Sequence, residues 1–222
     1  MKTESVQDFQ KYVKKDIITA SNELEHLAEN QRRHLSKLVY TNLVNRFDSM
    51  VDQFILDNCR EDSILEKGLE PLDKEMKESD ILRLLIEAET IQDLIDEKIR
   101  SSLSTSVLRK RHSVKLSTLF EVVEESPSSW KQPRVEIGTG KIRDKVKPSN
   151  KKIPCSICGY ADWLYSRRNA LVHGAGVSKL LENDKKQLEK LYNCKAADRV
   201  TVRLSSINTA SKFYLDLVEL FL

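Results

Sequence analysis

Apolar residues recur at every third or fourth position along most of the chain, which is the spacing of an amphipathic α-helix. Residues 4–29 follow this pattern, and we predict a helix there. A longer helix is predicted over residues 31–58, and its length favours a role as the spine of the domain. Its apolar stripe consists of Leu35, Leu38, Val39, Leu43, Phe47, Met50, Val51, Phe54 and Ile55.

The following segments keep the helical spacing, with one internal break. Residues 80–106 contain Thr90 followed by Asp93, which resembles a capping signal, so we predict two helices in this segment. Helical spacing continues or returns in residues 107–125, 157–173, 178–194 and 203–222.

Residues 126–154 differ from the rest of the chain, because they contain four of its five prolines. Residues 134–143, "RVEIGTGKIR", alternate around a Gly-Thr-Gly centre and predict a small hairpin. Consecutive amphipathic helices favour antiparallel neighbours. We therefore predict an all-α antiparallel helical bundle, a single domain over 1–222, with 126–154 as a basic irregular insertion.

Composition agrees with a globular domain. The 222 residues are 40% apolar and 32% charged, and a chain of this length can bury a substantial core. It lacks the run of about 18 apolar residues that a membrane-spanning helix needs, and its first residues lack the apolar core of a signal peptide. We expect a cytoplasmic protein that does not contact a membrane.

Charge is unevenly distributed along the chain. Residues 1–100 contain 15 lysines and arginines against 22 aspartates and glutamates, whereas residues 101–222 contain 22 against 12. A basic half favours an anionic partner. A solvated surface with an uneven charge distribution would produce the same counts, so charge alone leaves both interpretations open.

The four cysteines carry little functional signal. Cys155 and Cys158 are close in sequence, while Cys59 and Cys194 are isolated. A structural zinc ion needs four ligands, usually from two such pairs, so Cys194 or a histidine would have to complete the site through tertiary contact. A redox pair is a further alternative. We interpret all four as reduced thiols and expect neither a metal nor a cofactor.

The strongest chemical signal is "RRNALVHGAG", residues 167–176. Asn169 and His173 are four residues apart and share one helix face, and the long side chain of Arg168 can reach toward the same site. Histidine carries protons near neutral pH and a guanidinium binds phosphate, which are the two needs of phosphodiester chemistry. The alternative is structural: His173 caps the helix before Gly174, and the other two are solvated.

Arg168, Asn169 and His173 resemble the R-(polar)-x-x-x-H motif of the HEPN superfamily (higher eukaryotes and prokaryotes nucleotide-binding), whose members are all-α domains. The helix over 31–58 resembles the long first core helix of prokaryotic members, most closely those from toxin and phage-defence loci. The resemblance covers 31–58 and 157–222, and does not extend over the middle of the chain.

The resemblance implies a metal-independent endoribonuclease that works as a homodimer, with two motif helices building one composite site. Arg168 would hold the scissile phosphate, and His173 would act as general base or acid at the ribose 2′-hydroxyl or the leaving oxygen. Asn169 would orient His173 or the phosphate, and the product would be a 2′,3′-cyclic phosphate. Arg167 also has an acceptable spacing to His173, but the choice of Arg168 places Asn169 in the polar position.

Two basic segments are consistent with RNA as the partner. Residues 109–112 read "RKRH", and residues 131–152 contain eight lysines and arginines against two acidic residues. Such segments gather polyanions without sequence specificity. A solvated loop, or a docking segment for a partner protein, is the alternative for 131–152. The candidate RNA-binding residues are Arg167, Lys141, Arg143, Lys145, Lys147, Arg109, Lys110 and Arg111.

Two aromatic or titratable residues in these segments receive structural interpretations. Trp130 is expected to anchor the insertion, and base stacking is its alternative role. His112 lies in a charged context, so we expect it at the surface.

Two other functions stay open at this point. A non-catalytic HEPN domain would bind RNA, a nucleotide or a partner protein, and an unrelated helical interaction protein would carry the motif by chance. An active ribonuclease would need restraint in its host, so an inhibitor, an antitoxin or a defence-system partner protein is an expected companion.

Overall fold

The structure is a computed structural model, in which every described element longer than four residues is helical. It describes residues 1–72, 77–87, 90–123, 129–145, 156–173, 182–183, 185–186, 189 and 199–222. The predicted all-α class is therefore confirmed. The predicted helix over 178–194 lies almost entirely outside the described residues. Within the described residues, no helix combines the length and the apolar character needed to cross a membrane.

The N-terminal region is helical from its fourth residue, as predicted, but its winding changes along the way. Helix α1 (Glu4–Tyr12) continues through a π-helical turn (Val13–Ile17) into α2 (Ile18–Glu23), and a 3-10 turn closes the region at His26. Its buried apolar residues keep the three-to-four spacing of one face. They are Val6, Phe9, Val13, Ile17 and Leu24.

Helix α3 (Glu29–Asp57) is the spine that its sequence predicts, because α1, α7, α8 and the last helix all pack against it. The predicted stripe is wrong at its N-terminal end, where Leu35 and Leu38 are exposed. The buried line there runs through Ser36 and Tyr40 instead, because the neighbouring helices approach that side of α3.

Helices α4 (Asp62–Leu69), α5 (Glu78–Glu87) and α6 (Ile91–Ser106) follow α3. The predicted break is confirmed, since the Thr90 hydroxyl accepts a 3.0 Å hydrogen bond from the backbone N–H of Asp93 and caps α6.

Helices α7 (His112–Val122), α8 (Ile157–His173) and α9 (Leu204–Val218) complete the bundle. Helix α8 has the predicted bounds, whereas α7 begins later than predicted because the chain turns at residues 107–110. The predicted hairpin is present as an antiparallel bridge between Val135 and Ile142.

The relative directions of α3, α7 and α8 bring the motif residues into the middle of the bundle. Tyr40 donates a hydrogen bond from its hydroxyl to the carbonyl oxygen of Leu164, and Asn45 contacts Arg168 further along both helices, so α3 and α8 are parallel. Helix α7 is antiparallel to α8, because its first turn contacts Asp162 and its later residues lie toward the start of α8.

Candidate functional site

The guanidinium of Arg168 is held between two amide side chains. Its Nε donates a 2.5 Å hydrogen bond to Oδ1 of Asn45, and an Nη donates a 2.7 Å hydrogen bond to Oδ1 of Asn169. Asn169 is only 9% exposed, so its amide is a fixed support. Because a guanidinium has five N–H donors, this arrangement orients the group while retaining donors for a phosphate.

Arg167 points away from this arrangement. It donates a 2.8 Å hydrogen bond to the backbone carbonyl of Thr201, and its guanidinium lies 5.7 Å from the ring of Tyr40 and 5.9 Å from the ring of Trp163. Of the two arginines, Arg168 is therefore the one that contacts Asn169. The structure thus favours the Arg168 register of the motif over the Arg167 register.

His173 is the last residue of α8, and its side chain is exposed. It lies one helical turn after Asn169, on the same face. Within the described residues its ring has no hydrogen-bond partner. An imidazole at this position is accessible to a ligand or to a second protein molecule.

A buried ionic cluster next to the motif is the main feature that sequence reasoning missed. The prediction that His112 lies at the surface is wrong, because the side chain is 1% exposed and its Nε2 lies 2.9 Å from Oδ1 of Asp48. Lys115 is equally buried, and its Nζ donates hydrogen bonds to Asp48 (2.7 Å) and Asp52 (2.5 Å). His112 is the first residue of α7, so the start of that helix turns it toward α3.

A sequence signal for this ionic cluster does exist. Asp48 and Asp52 are four residues apart beside the apolar stripe of α3, and His112 and Lys115 are three residues apart on α7. Each pair shares a helix face. The charges are therefore spaced to meet if the two helices pack together, but nothing local indicates that they do.

Mutual pairing keeps the cluster charged. Burial alone would raise the pKa of Asp48, but hydrogen bonds and charge from His112 and Lys115 lower it to about 2. Burial raises the pKa of Asp52, and Lys115 offsets part of that effect. Burial would lower the pKa of Lys115, but the two carboxylates raise it above its usual value. The cluster thus joins α3 to α7 by paired charges that burial would otherwise neutralise.

Tyr165 connects this cluster to the motif. Its ring lies 4.4 Å from the ring of His112, and the guanidinium of Arg168 lies 5.9 Å from the ring of Tyr165. Since Asn45 and Asp48 are one turn apart on α3, the same stretch of α3 contacts both Arg168 and the ionic cluster. The position of Arg168 therefore depends on how α3, α7 and α8 pack.

The basic segment 109–112 lies partly against the motif helix. Arg111 forms an ion pair of 3.0 Å with Asp162 of α8, whose other oxygen accepts a hydrogen bond from the backbone N–H of Ser113. Arg109 and Lys110 are exposed in the turn that precedes α7. The structure thus brings this predicted RNA-binding segment next to α8.

The hairpin residues are not brought to the motif. The hairpin packs on α9, where the backbone N–H of Ile142 donates a hydrogen bond to Asp216. That part of α9 contacts Tyr160, which is about 12 Å along α8 from Arg168. Of the predicted RNA-binding residues in the hairpin, Arg143 pairs with Glu136, Lys141 and Lys145 are exposed, and Lys147 lies outside the described residues.

Trp130 anchors the insertion, as predicted. Its side chain is 1% exposed and stacks on Phe120 with 5.1 Å between the ring centroids. An indole buried in this way is not available to stack on a base.

Of the two closely spaced cysteines, Cys158 is buried at the start of α8, and Cys155 lies outside the described residues, as does Cys194. Burial raises the pKa of the Cys158 thiol to about 12. Metal ligation and redox exchange both use the thiolate, so this environment disfavours either role for Cys158.

Comparison of the chain with protein-family models, with curated proteins and with solved structures gives no match. The information about function therefore lies in the chain's own side chains. The arrangement around Arg168 and His173 combines an oriented phosphate-binding group with an accessible proton carrier.

Proposed function

We propose that this protein is a metal-independent endoribonuclease of the HEPN type, acting in a toxin or antiviral-defence role. The observation that carries the proposal is the support of Arg168 by the amides of Asn45 and Asn169, beside an exposed His173. An arginine with only a surface role would not need two amide supports. The order of a long first core helix, a motif helix and a final packed helix supports a HEPN-type bundle.

The reaction needs a base, an acid and a group that stabilises charge on phosphorus. The ribose 2′-oxygen attacks the adjacent phosphorus and gives its proton to one imidazole, while the bond from phosphorus to the 5′-oxygen breaks and that oxygen takes up a proton. Arg168 stabilises the added negative charge on the phosphoryl oxygens. The products are a 2′,3′-cyclic phosphate and a 5′-hydroxyl, and no metal takes part.

A homodimer supplies the second imidazole. One His173 accepts the proton of the 2′-hydroxyl, and the His173 of a second subunit protonates the leaving oxygen. Val172, next to His173, is 47% exposed although it is apolar, which supports pairing through this end of α8. The proposal includes a two-fold arrangement in which the two motif helices meet.

A non-catalytic binding domain is the second candidate, and one observation favours it. The short helix α5 exposes four apolar side chains, and a surface of this kind commonly contacts another protein. These side chains are Ile81, Leu82, Leu85 and Ile86. Under this alternative the protein would bind a partner and would not cleave RNA.

A cleavage assay separates the two candidates. The purified protein and its Arg168→Ala and His173→Ala variants are incubated with pooled cellular RNA in EDTA, and the ends of the products are identified. His34→Ala and Arg83→Ala are matched controls, because both residues are exposed and distant from the motif. We expect cyclic-phosphate ends with wild type and both controls, and loss of cleavage in both motif variants. Intact RNA in the presence of a dimeric wild-type protein would favour the binding domain.

A further inference from the structure

A second basic site lies beside the motif, in a groove between the N-terminal part of α3 and the segment that leads into α9. The groove has a volume of about 590 Å³, within the range of about 300–1,000 Å³ that is typical of ligand sites. Its charged lining residues are Glu29, Arg32, Arg33, Lys37 and Arg203.

The cations in this groove exceed the carboxylates. Glu29 pairs with both Arg32 and Arg33, so one negative charge is shared between two guanidiniums. Within the described residues, neither Lys37 nor Arg203 has a carboxylate partner, and both are exposed. Four cations against a single carboxylate create a positive potential that attracts an anion.

The polar groups in the groove also favour an anion. The first turn of α9 lines one wall, and the N–H groups and dipole at the start of a helix stabilise negative charge. Thr201 and Ser205 add hydroxyls to the lining, while Val200 and Leu204 contribute apolar surface. This mixture suits phosphate oxygens next to a sugar or base.

The groove is physically connected to the motif. The carbonyl of Thr201, in the wall of the groove, accepts the hydrogen bond from Arg167, the residue before Arg168. Along α3, Lys37 and Asn45 are eight residues apart, which corresponds to about 12 Å. A strand bound at Arg168 would reach the groove within a few nucleotides.

We propose that this groove binds backbone phosphates of a single RNA strand on one side of the phosphate held by Arg168, with Lys37 and Arg203 as its principal contacts. The position of the cleaved bond rests on the proposed function, whereas binding of a strand in the groove does not. Contacts from lysine and arginine to phosphates position a strand and do not read its sequence, so the groove raises the affinity for RNA in general.

The test measures binding separately from cleavage. A fluorescein-labelled 12-nucleotide RNA with 2′-O-methyl groups throughout has no attacking hydroxyl and is not cleaved. Its affinity is measured by fluorescence anisotropy between 50 and 300 mM KCl, for wild type and for the Lys37→Gln/Arg203→Gln double variant. Arg83→Gln/Lys98→Gln is the matched control, since it removes the same two types of exposed cation from α5 and α6.

We expect the double variant to bind the RNA roughly tenfold more weakly at 100 mM KCl. The slope of log affinity against log salt should become shallower by about 1.4, because each phosphate contact to a single strand contributes about 0.7. The control should retain the wild-type slope. Equal affinities and slopes in the two double variants would overturn the proposal.

Two further arms separate this site from other outcomes. Displacement of the RNA from wild type by millimolar AMP or inorganic phosphate would mean that the groove is a mononucleotide or phosphate site, which also overturns the proposal. If wild type cleaves no RNA but the groove variants still lose affinity and slope, the proposed catalytic function fails and the groove stands. Unchanged urea-unfolding midpoints for the exposed Lys37 and Arg203 variants show that the fold is retained.

Discussion

Arg168 of α8 and Asn45 of α3 are 123 positions apart in sequence and are joined by a 2.5 Å hydrogen bond from the guanidinium Nε to the amide oxygen. The bond fixes the direction of the guanidinium relative to the long central helix. An arginine that acts on phosphate gains from such support, because its orientation is then set before the substrate arrives.

Replacing Asn45 tests this support. We expect Asn45→Ala to lower the rate of RNA cleavage by about 10- to 100-fold, because misplacement of a catalytic group by about 1 Å has effects of that size. Cleavage rates at saturating RNA measure the effect. Asn42→Ala, at an exposed position of the same helix, is the control and should cleave like wild type. An Asn45→Ala protein with the wild-type rate would show that the bond does not position Arg168.

Removing Lys115 tests the ionic cluster. Lys115→Met leaves Asp48 and Asp52 without their shared cation, and we expect the free energy of unfolding to fall by about 3 kcal/mol, as for a broken buried ion pair. Urea denaturation measures the change. Lys98→Met, at an exposed position, should change it by no more than about 0.5 kcal/mol.

A triple variant provides the converse of this prediction. Adding Asp48→Asn and Asp52→Asn to Lys115→Met removes the charges that were left unpaired, so part of the lost stability should return. If the triple variant is less stable than Lys115→Met alone, the cost lies in packing and not in unpaired charge.

The stability contributed by Asp48 should depend on pH. Its pKa is about 2 in the folded protein and about 3.9 in an unfolded chain. Because the folded value is the lower one, the contribution is fully present above about pH 5 and is lost as the pH falls from there toward 2. At pH 6 we expect Asp48→Asn to be less stable than wild type by about 2 kcal/mol.

Urea denaturation at pH 6, 4.5 and 3 checks this dependence. The difference between wild type and Asp48→Asn should shrink steadily as the pH falls, since protonation removes the charge that the variant lacks. The effects of the other carboxylates on unfolding are common to both proteins and cancel in the difference. A difference that is constant over this range would contradict the low pKa of Asp48.

Gly140 and Gly138 form a matched pair in the hairpin. Gly140 has a positive φ of 74°, and a Cβ built there would lie 2.1 Å from the carbonyl oxygen of Thr209, whereas nothing lies within 4 Å of a Cβ at Gly138. We expect Gly140→Ala to lower the free energy of unfolding by about 2 kcal/mol through strain and the clash, and Gly138→Ala to change it by less than about 0.5 kcal/mol. Thermal and urea unfolding of the two variants measure the contrast, and equal stabilities would mean that the hairpin does not pack on α9.

Much of the fold follows from local signals. The bounds of α8, the break at Thr90 and the hairpin centred on Gly138 and Gly140 were all predictable. Helical spacing, side-chain caps and turn residues act within a few positions of each other, so a single sequence contains the information that places them. The pairing of Asn169 with Arg168 belongs to the same class, since the two are adjacent on one helix.

Contacts between helices are a different matter, because they depend on which faces pack. Leu35 and Leu38 fit a helical apolar pattern and are nevertheless exposed, while His112 and Lys115 are charged or titratable and are nevertheless buried. A polar side chain is buried when a partner from another helix compensates its lost hydration. Asp48 provides that partner for both residues, from 64 and 67 positions away in sequence.

The chain's own pattern was thus sufficient for an all-α class, for most helix bounds and for the choice of Arg168, Asn169 and His173 as candidates. The packing of α3, α7 and α8 was needed to place Asn45 against Arg168 and to assemble the buried ionic cluster behind Tyr165. The physical reason is that periodicity and capping are short-range properties of one segment, whereas the burial of a charge depends on partners that folding brings together.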